Sequence, residues 1–390
     1  MAKTSPLTVV LAPDSFKESM TAVQAAEAMA RGILAVAPDA VCVRVPMSDG
    51  GEGFADAIGT ALAAERSPVR ITDARGRAAT ATLVHLDDLA VIDVASAVGL
   101  GMIAPADRDI MTSDSRGVGD LIRAALDGGA HRLIVGLGGS ATTDGGAGML
   151  SALGAQFLDR EGRPVPPTPE GLRRLDRLDL SGLDPRLARL EVEAACDVTN
   201  PLLGPQGASV TFGPQKGASA DQVHELDVLL ERLVAVSPAA AREMSVRPGA
   251  GAAGGLGWAL MAFLDAATRP GVELLAETVG LAQAVGDASL VLTGEGSVDA
   301  QTLSGKTVAG VARIAAATEV PCVVLAGRVT SDAEALLDHG VTALVPILHE
   351  VTDLAAALRN GPGNLERATA TVVRIYLAGA SGHSAGTELH

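Results

Sequence analysis

A chain of 390 residues is too long for one compact hydrophobic core, which implies two domains. Its apolar content of 48% with only 2% aromatics suits Val- and Leu-rich strands covered by Ala-rich helices, an α/β composition. A formal net charge of -16 argues against nucleic acid or an anionic membrane surface as partner, so an anionic substrate must be met by local positive charge. Cys42, Cys196 and Cys322 are odd in number and far apart, which gives neither a disulfide framework nor a zinc spacing. No apolar run approaches about 18 residues, and no basic stretch leads into an apolar one at the start. The chain reads as a cytoplasmic protein without a membrane partner.

The predicted elements begin with the strand LTVVLA (7–12), a helix over 19–36, the strand VCVRVP (41–46) and a helix over 52–65. Polar turns, PDSFKES and MSDGGEG, follow the two strands. The segment ITDARGRAATATLVHLDDLAVIDVAS carries three close strands with tight connections, hence antiparallel or mixed pairing. A glycine-rich stretch (135–150), a Pro- and Arg-rich stretch near 160–190 and the loop-heavy CDVTNPLLGPQGASVTFGPQKGAS come next. Strand and helix then alternate again: LVLTG (290–294), helix 306–317, CVVLAG (322–327), helix 331–338, TALVPI (342–347) and two last helical stretches. Alternation with short turns implies a doubly wound parallel sheet. The expected division is a discontinuous doubly wound domain (1–65 plus 286–380), an inserted mixed-sheet α/β domain (66–285) and a disordered tail (381–390). Open α/β sheets bind ligands at the carboxyl ends of their strands, which puts the expected site in the cleft between the domains.

VGLGGSATTDGGAGML (135–150) places six glycines between a strand and a helix. Such a loop can converge backbone N–H groups on an anion at a helix start, or it can be a tight turn with Asp144 as cap. Gly136, Gly138 and Ala141 also fit the dinucleotide fingerprint, but Asp144 would then face a pyrophosphate. TGEGSVDAQTLSGKT (293–307) ends like a phosphate loop yet has Ala300 where the first glycine is required, so it is no Walker motif. Lys306 nevertheless suits a transferring phosphate, and Glu295 and Asp299 suit a magnesium ion or its waters. The chain has only four lysines, Lys3, Lys17, Lys216 and Lys306, and the last three lie in Gly-, Pro- or Ser-rich loops. A compact ammonium in a protein that otherwise uses arginine points to phosphate contact. Asp14 and Asp49 follow the first two strands, where they can cap helices or serve the site. Asp197 and Asn200 follow the apolar run LEVEAA, suited to receiving a hydroxyl proton and orienting a carboxylate, or to a turn.

Taken together, APDSFKESMTA, PMSDGGEG, GLGGSATTDGGAGML, CDVTNPLLGPQGAS, FGPQKGA, PGAGAAGGLG and LTGEGSVDAQTLSGKT resemble the type I bacterial glycerate kinases over residues 7 to 378. The resemblance implies a flavodoxin-like domain and one similar to a restriction-endonuclease fold. It implies ATP-dependent phosphorylation of D-glycerate, usually to 2-phosphoglycerate, with Mg²⁺. Asp197, Lys17, Lys216 and Asp14 are then the candidate catalytic residues, Asp197 as base with Asp14 as the second choice. Gly138, Gly139, Ser140, Thr142, Gly145, Gly146, Lys306 and Glu295 are candidates for ATP. Asp49, Asn200, Gln215 and Asp144 are candidates for the acceptor, and Asp299, Glu295 and Asp49 for the metal. One departure stands in MTSDSRGVGDLI: Ser115 and Arg116 occupy positions where an aromatic and a small residue are more usual. Arg116 either alters a substrate contact or restructures a turn. A glycerate 3-kinase or a kinase of another short hydroxy acid is the nearest alternative. An NAD-dependent hydroxy-acid oxidoreductase, resting on Gly136 to Ala141 and Asp159, and a non-catalytic sensor of anionic metabolites are the rivals of other classes. Whether the chain is a monomer or a homodimer is not encoded in any of these motifs.

Overall fold

The computed structural model describes residues 6–303 and 307–386. Among them thirteen strands occur: β1 (Thr8–Pro13), β2 (Val41–Arg44), β3 (Glu65–Thr72), β4 (Ala78–Leu86), β5 (Leu89–Asp93), β6 (Arg132–Gly136), β7 (Gln156–Leu158), β8 (Arg177–Asp179), β9 (Glu191–Ala195), β10 (Ala267–Arg269), β11 (Leu290–Val298), β12 (Cys322–Val329) and β13 (Ala343–Pro346). The chain divides into two compact bodies. The first comprises Met1–Ser48, Asp56–Leu62 and Leu275–His390; the second comprises Asp49–Ala55 and Ala63–Leu274.

The first body holds five parallel strands in the order β13-β12-β11-β1-β2. Counted along this body alone, the order is 2-1-3-4-5, the flavodoxin-like doubly wound arrangement, whose switch point lies between β1 and β11. Val9, Val10, Leu11, Val291, Leu292, Val324 and Leu325 are buried, as both-face coverage of a parallel sheet demands. The helix Ala22–Leu34 starts on a capping box in which Gln24 N donates to Thr21 Oγ1 and Thr21 N to Gln24 Oε1. It buries Ala25, Ala26, Met29 and Ile33, whose spacing fits one helical face. The helix expected over 331–338 is instead a 3-10 segment, Ser331–His339. The final helix, Gly361–Gly386, runs into the stretch expected to be a disordered tail, of which residues 387–390 lie outside the described residues.

The second body is built on a six-stranded mixed sheet, β10-β9-β6-β5-β4-β3. The three closely spaced strands pair antiparallel, β3 with β4 and β4 with β5, because only tight turns join them. β5, β6, β9 and β10 are parallel, so the loops that follow them leave from one edge. Trp258 is fully buried in this body's core; its Nε1 donates to Ala241 O at 2.7 Å, which satisfies the one polar atom of the ring. No helix among the described residues is long and apolar enough to cross a membrane.

Candidate functional site

In the first body the loops after β1 and β11 leave the sheet side by side at its switch point. Asp14 N donates to Gly294 O at 2.8 Å, tying the two strand ends together. Asp14 then accepts from Ser15 N through one oxygen and from Thr307 Oγ1 through the other, both at 2.6 Å. Glu295, at the end of the buried stretch of β11, accepts from Thr302 Oγ1 at 3.3 Å, and Asp299 N donates to the same hydroxyl at 3.2 Å. Burial pushes the Glu295 carboxyl up to about 7, and the charges of Asp14 and Asp299 add to this while Thr302 and Lys17 oppose it. Lys17 is exposed. Acids of one sign and one exposed ammonium thus meet where the fold places ligands. Lys306 lies outside the described residues.

In the second body the carboxyl edge of the parallel strands gathers four loops. Asp93, the last residue of β5, accepts from Gly53 N at 3.2 Å and Ala55 N at 2.8 Å, holding the segment that follows β2 in the chain. Gly50 O in that segment accepts from Gly138 N at 2.9 Å, in the loop after β6. A side chain at Gly138 would put its Cβ 2.4 Å from Gly51 Cα, so only glycine permits this approach. Asp197, after β9, accepts from Gly271 N at 3.1 Å, after β10. An ideal Cβ on Gly271 would in turn lie 2.2 Å from Asp49 O, so Asp49 and Asp197 share one corner. Asp49 is exposed and its Oδ1 accepts from Gly51 N at 3.2 Å.

The glycine-rich loop itself turns mostly inward. Gly139 is exposed and Gly138 half-buried, but residues 140–150 are buried. Gly145 and Gly146, expected to hold a nucleotide phosphate, lie in this buried stretch. A Cβ on Gly145 would meet Leu233 at 2.7 Å, and one on Gly146 would meet Ala259 at 2.4 Å, so this pair packs on the core. Asp144, expected as a substrate ligand, is fully buried, and Ser115 N, Ser115 Oγ, Gly146 N and Gly148 N all donate to it. Burial drives its carboxyl pKa up, and those four hydrogen bonds offset part of the effect. Asp114, next to Ser115, is pushed to about 6 by burial and then by Asp144, against the pull of Arg116. At the departure Ser115-Arg116, Arg116 N donates to Asp114 Oδ1 at 2.9 Å.

Lys216 is buried beneath the same loop, with Nζ 2.8 Å from Ser140 Oγ and 2.7 Å from Thr142 O. Burial lowers its amine to about 7, with only the Asp144 charge opposing. Thr142 Oγ1 and Thr143 Oγ1 are buried without a hydrogen-bond partner among the described residues. Gln215 is exposed, its carbonyl held by Arg108 at 3.0 Å. Asn200 Nδ2 donates to Gln206 O at 2.7 Å and Thr211 Oγ1 at 3.2 Å, closing its own loop. Asp93, Thr302, Thr307 and Ser115 are polar residues to which the sequence motifs assign no role. For Asp93 the sequence signal is an acid directly after an apolar run; for the three hydroxyls it is only their place in a polar turn.

Among the described residues no group of three or more His, Cys, Asp or Glu is spaced to hold a metal. Of the three expected metal ligands, Glu295 and Asp299 belong to the first body, while Asp49 belongs to the second. Asp14 and Asp299 are the acids whose charges act on Glu295. Mg²⁺ commonly takes one or two carboxylates and completes its shell with water and substrate phosphate, so this hard-oxygen pair fits it.

A family model described as the glycerate kinase family matches residues 9–377. A glycerate kinase of Bacillus subtilis is 42% identical over 362 residues, 92% of this chain and 95% of that protein. A glycerate 2-kinase of Escherichia coli is 41% identical over 374 residues, 95% of this chain and 98% of that one. The crystal structure of "putative glycerate kinase 2 from Salmonella typhimurium LT2" is 40% identical, covers 96% of this chain and 99% of its own, and gives a TM-score of 0.84. With its five-stranded and six-stranded sheets, its acid and lysine loops and a match along nearly its whole length, the chain belongs to the glycerate kinase family.

Proposed function

We propose that the protein transfers the γ-phosphoryl group of ATP directly to the 2-hydroxyl of D-glycerate, without a covalent intermediate. The observation that carries this reading is the 41% identity, over 95% of the chain, to a relative named glycerate 2-kinase. Phosphoryl transfer depends mainly on positioning and on neutralising the phosphoryl oxygens. Lys17 beside Asp14 and Glu295, at the switch point of a parallel sheet, supplies groups suited to both. Glu295 and Asp299 would hold Mg²⁺, which neutralises charge on the phosphates when bound. Asp49, Asp197 and the exposed Gly139 backbone bind and orient the acceptor, whose carboxylate suits a backbone N–H group and whose hydroxyls suit the two acids. A three-carbon hydroxy acid needs only such a small set of polar contacts.

The test is ³¹P NMR of the mixture formed from D-glycerate, ATP and Mg²⁺. A 2-phosphoglycerate resonance growing with ADP is the expected result. A 3-phosphoglycerate resonance overturns the position of transfer but keeps the kinase. An unchanged ATP spectrum from folded protein overturns the reaction.

A further inference from the structure

Ser140 and Lys216 form a buried hydroxyl–amine contact under the loop after β6. Lys216 Nζ lies 2.8 Å from Ser140 Oγ and 2.7 Å from Thr142 O, and these are the hydrogen bonds its amine makes among the described residues. Ser140 directly follows exposed Gly139 in the chain. A serine hydroxyl backed by a buried amine is a recurring way to move a proton at neutral pH. The two unpartnered hydroxyls of Thr142 and Thr143 belong to the same segment, so this loop keeps unused polar capacity beside the pair.

We infer that Ser140 and Lys216 form a proton relay, in which Ser140 Oγ takes the proton of the glycerate hydroxyl while passing its own to the Lys216 amine 2.8 Å away. The inference rests on the kinase reading above and adds to it the fate of the proton. The glycerate oxygen, as it loses its proton, forms the bond to the γ-phosphorus. The bond from that phosphorus to the bridging oxygen breaks, its electron pair leaving on ADP, and the proton ends on Lys216 as an ammonium that water later deprotonates. In this scheme Ser140, buried directly after the exposed Gly139, is the group that meets the substrate; Lys216 acts through it. The uncharged amine is available because burial lowers it to about 7. The charged groups around it are few. Asp144 attracts the ammonium, Asp114 stands near Asp144 and is held by Arg116 at 3.7 Å, and Arg108 is turned to the carbonyl of Gln215. Asp197, whose Oδ1 accepts from Gly271 N, is the rival base.

The experiment measures kcat and both KM values from about pH 5.5 to 9.5 for the native chain and for Lys216→Met, Ser140→Ala, Ser140→Thr and Asp197→Asn. The relay gives a kcat that rises with pH through a midpoint near 7 and then levels, because only the deprotonated amine accepts. Lys216→Met and Ser140→Ala should each lower kcat by about 10²–10⁴ with KM changed only a few-fold, and Lys216→Met should remove the rising limb. Ser140→Thr, which keeps a hydroxyl, should retain more activity than Ser140→Ala. A rising limb that survives in Lys216→Met but vanishes in Asp197→Asn overturns the relay while leaving the kinase intact. Native protein with no glycerate-dependent ATP consumption at any pH overturns the kinase reading itself. Should Lys216→Met fail to fold, lysine labelled with ¹³C at Cε gives a readout without mutation, since the chain has only four lysines. One resonance titrating near 7 supports the relay; four titrating above about 9 overturn it.

Discussion

Asp114 is a residue whose ionisation the fold opposes at mild pH. Burial and the neighbouring Asp144 raise its carboxyl from 3.8 to about 6. A raised carboxyl binds its proton more tightly in the folded chain than in the unfolded one. Stability therefore falls as pH rises from about 4 through about 6 and stays low above that. Asp114→Asn keeps an oxygen for Arg116 N and removes the charge. It should raise the melting temperature at pH 8, by an amount worth on the order of 1–3 kcal/mol, and the gain should disappear near pH 4. Equal melting curves for the two proteins at pH 8 would show that Arg116, 3.7 Å away, fully offsets the burial of the carboxylate. The same residue shows what the sequence hides. Asp114 and Ser115 are ordinary turn formers in MTSDSRGVGDLI, and their partner Asp144 lies 29 residues further along from Ser115. A contact across that distance is set by packing, which leaves no local pattern to read.

At the scale of elements, the strands and their loops were legible and the direction of each loop was not. Alternating strand and helix, and three strands joined by tight turns, specify one parallel and one mixed sheet through connection length alone. Asp14, Lys17, Asp49, Asp197 and Glu295 could be placed because each follows an apolar run, and a parallel strand ends at the ligand edge. Inside the glycine-rich loop there is no period of two or 3.6, so Gly139, which is exposed, and Gly145, which is buried, look alike in the sequence. The run PGAGAAGGLG was legible only as a family signature. In the fold it braces the glycine-rich loop, since Gly254, at a φ of +69°, packs on the Thr142 carbonyl, and Gly254 O accepts from Gly145 N at 3.0 Å. A Cβ at Gly254 would lie 2.0 Å from Thr142 O, backbone that also holds the Lys216 amine. Gly254→Ala should therefore cost about 2–4 kcal/mol, from the left-handed backbone and the forced displacement together. It should also lower kcat more than a change of similar stability cost elsewhere, such as Leu365→Ala in the first body's core. Thermal melting and steady-state kinetics on the two variants check this, and matched kcat losses would refute a special role for the glycine run.

For the molecule as a whole, the decisive quantity is the mismatch between its charge and that of its proposed substrates. The chain carries a formal -16, while glycerate and nucleotide phosphates are anions. Of the four lysines, Lys216 is buried and only Lys17 is an exposed ammonium within a described functional loop. Two arginines near the second body's loops are committed to acids, Arg116 to Asp114 and Arg75 to Asp107, while Arg108 is held on the Gln215 carbonyl. Long-range repulsion should then slow encounter at low ionic strength, where the Debye length is about 30 Å at 0.01 M. At about 0.15 M it falls to about 8 Å, which screens the distant surface acids but leaves the close contacts of Lys17 in place. Consequently kcat/KM for glycerate at saturating nucleotide should rise, by about two-fold or more, as an inert salt is added over that range, with kcat nearly constant. Substrate attraction by a concentrated basic funnel predicts the opposite slope. A steady fall of kcat/KM with salt, measured at fixed free Mg²⁺, would mean that local positive charge dominates the approach despite the net charge. Lys17→Gln then separates the two cases: if repulsion governs the approach, it weakens binding at every ionic strength and leaves the upward slope unchanged.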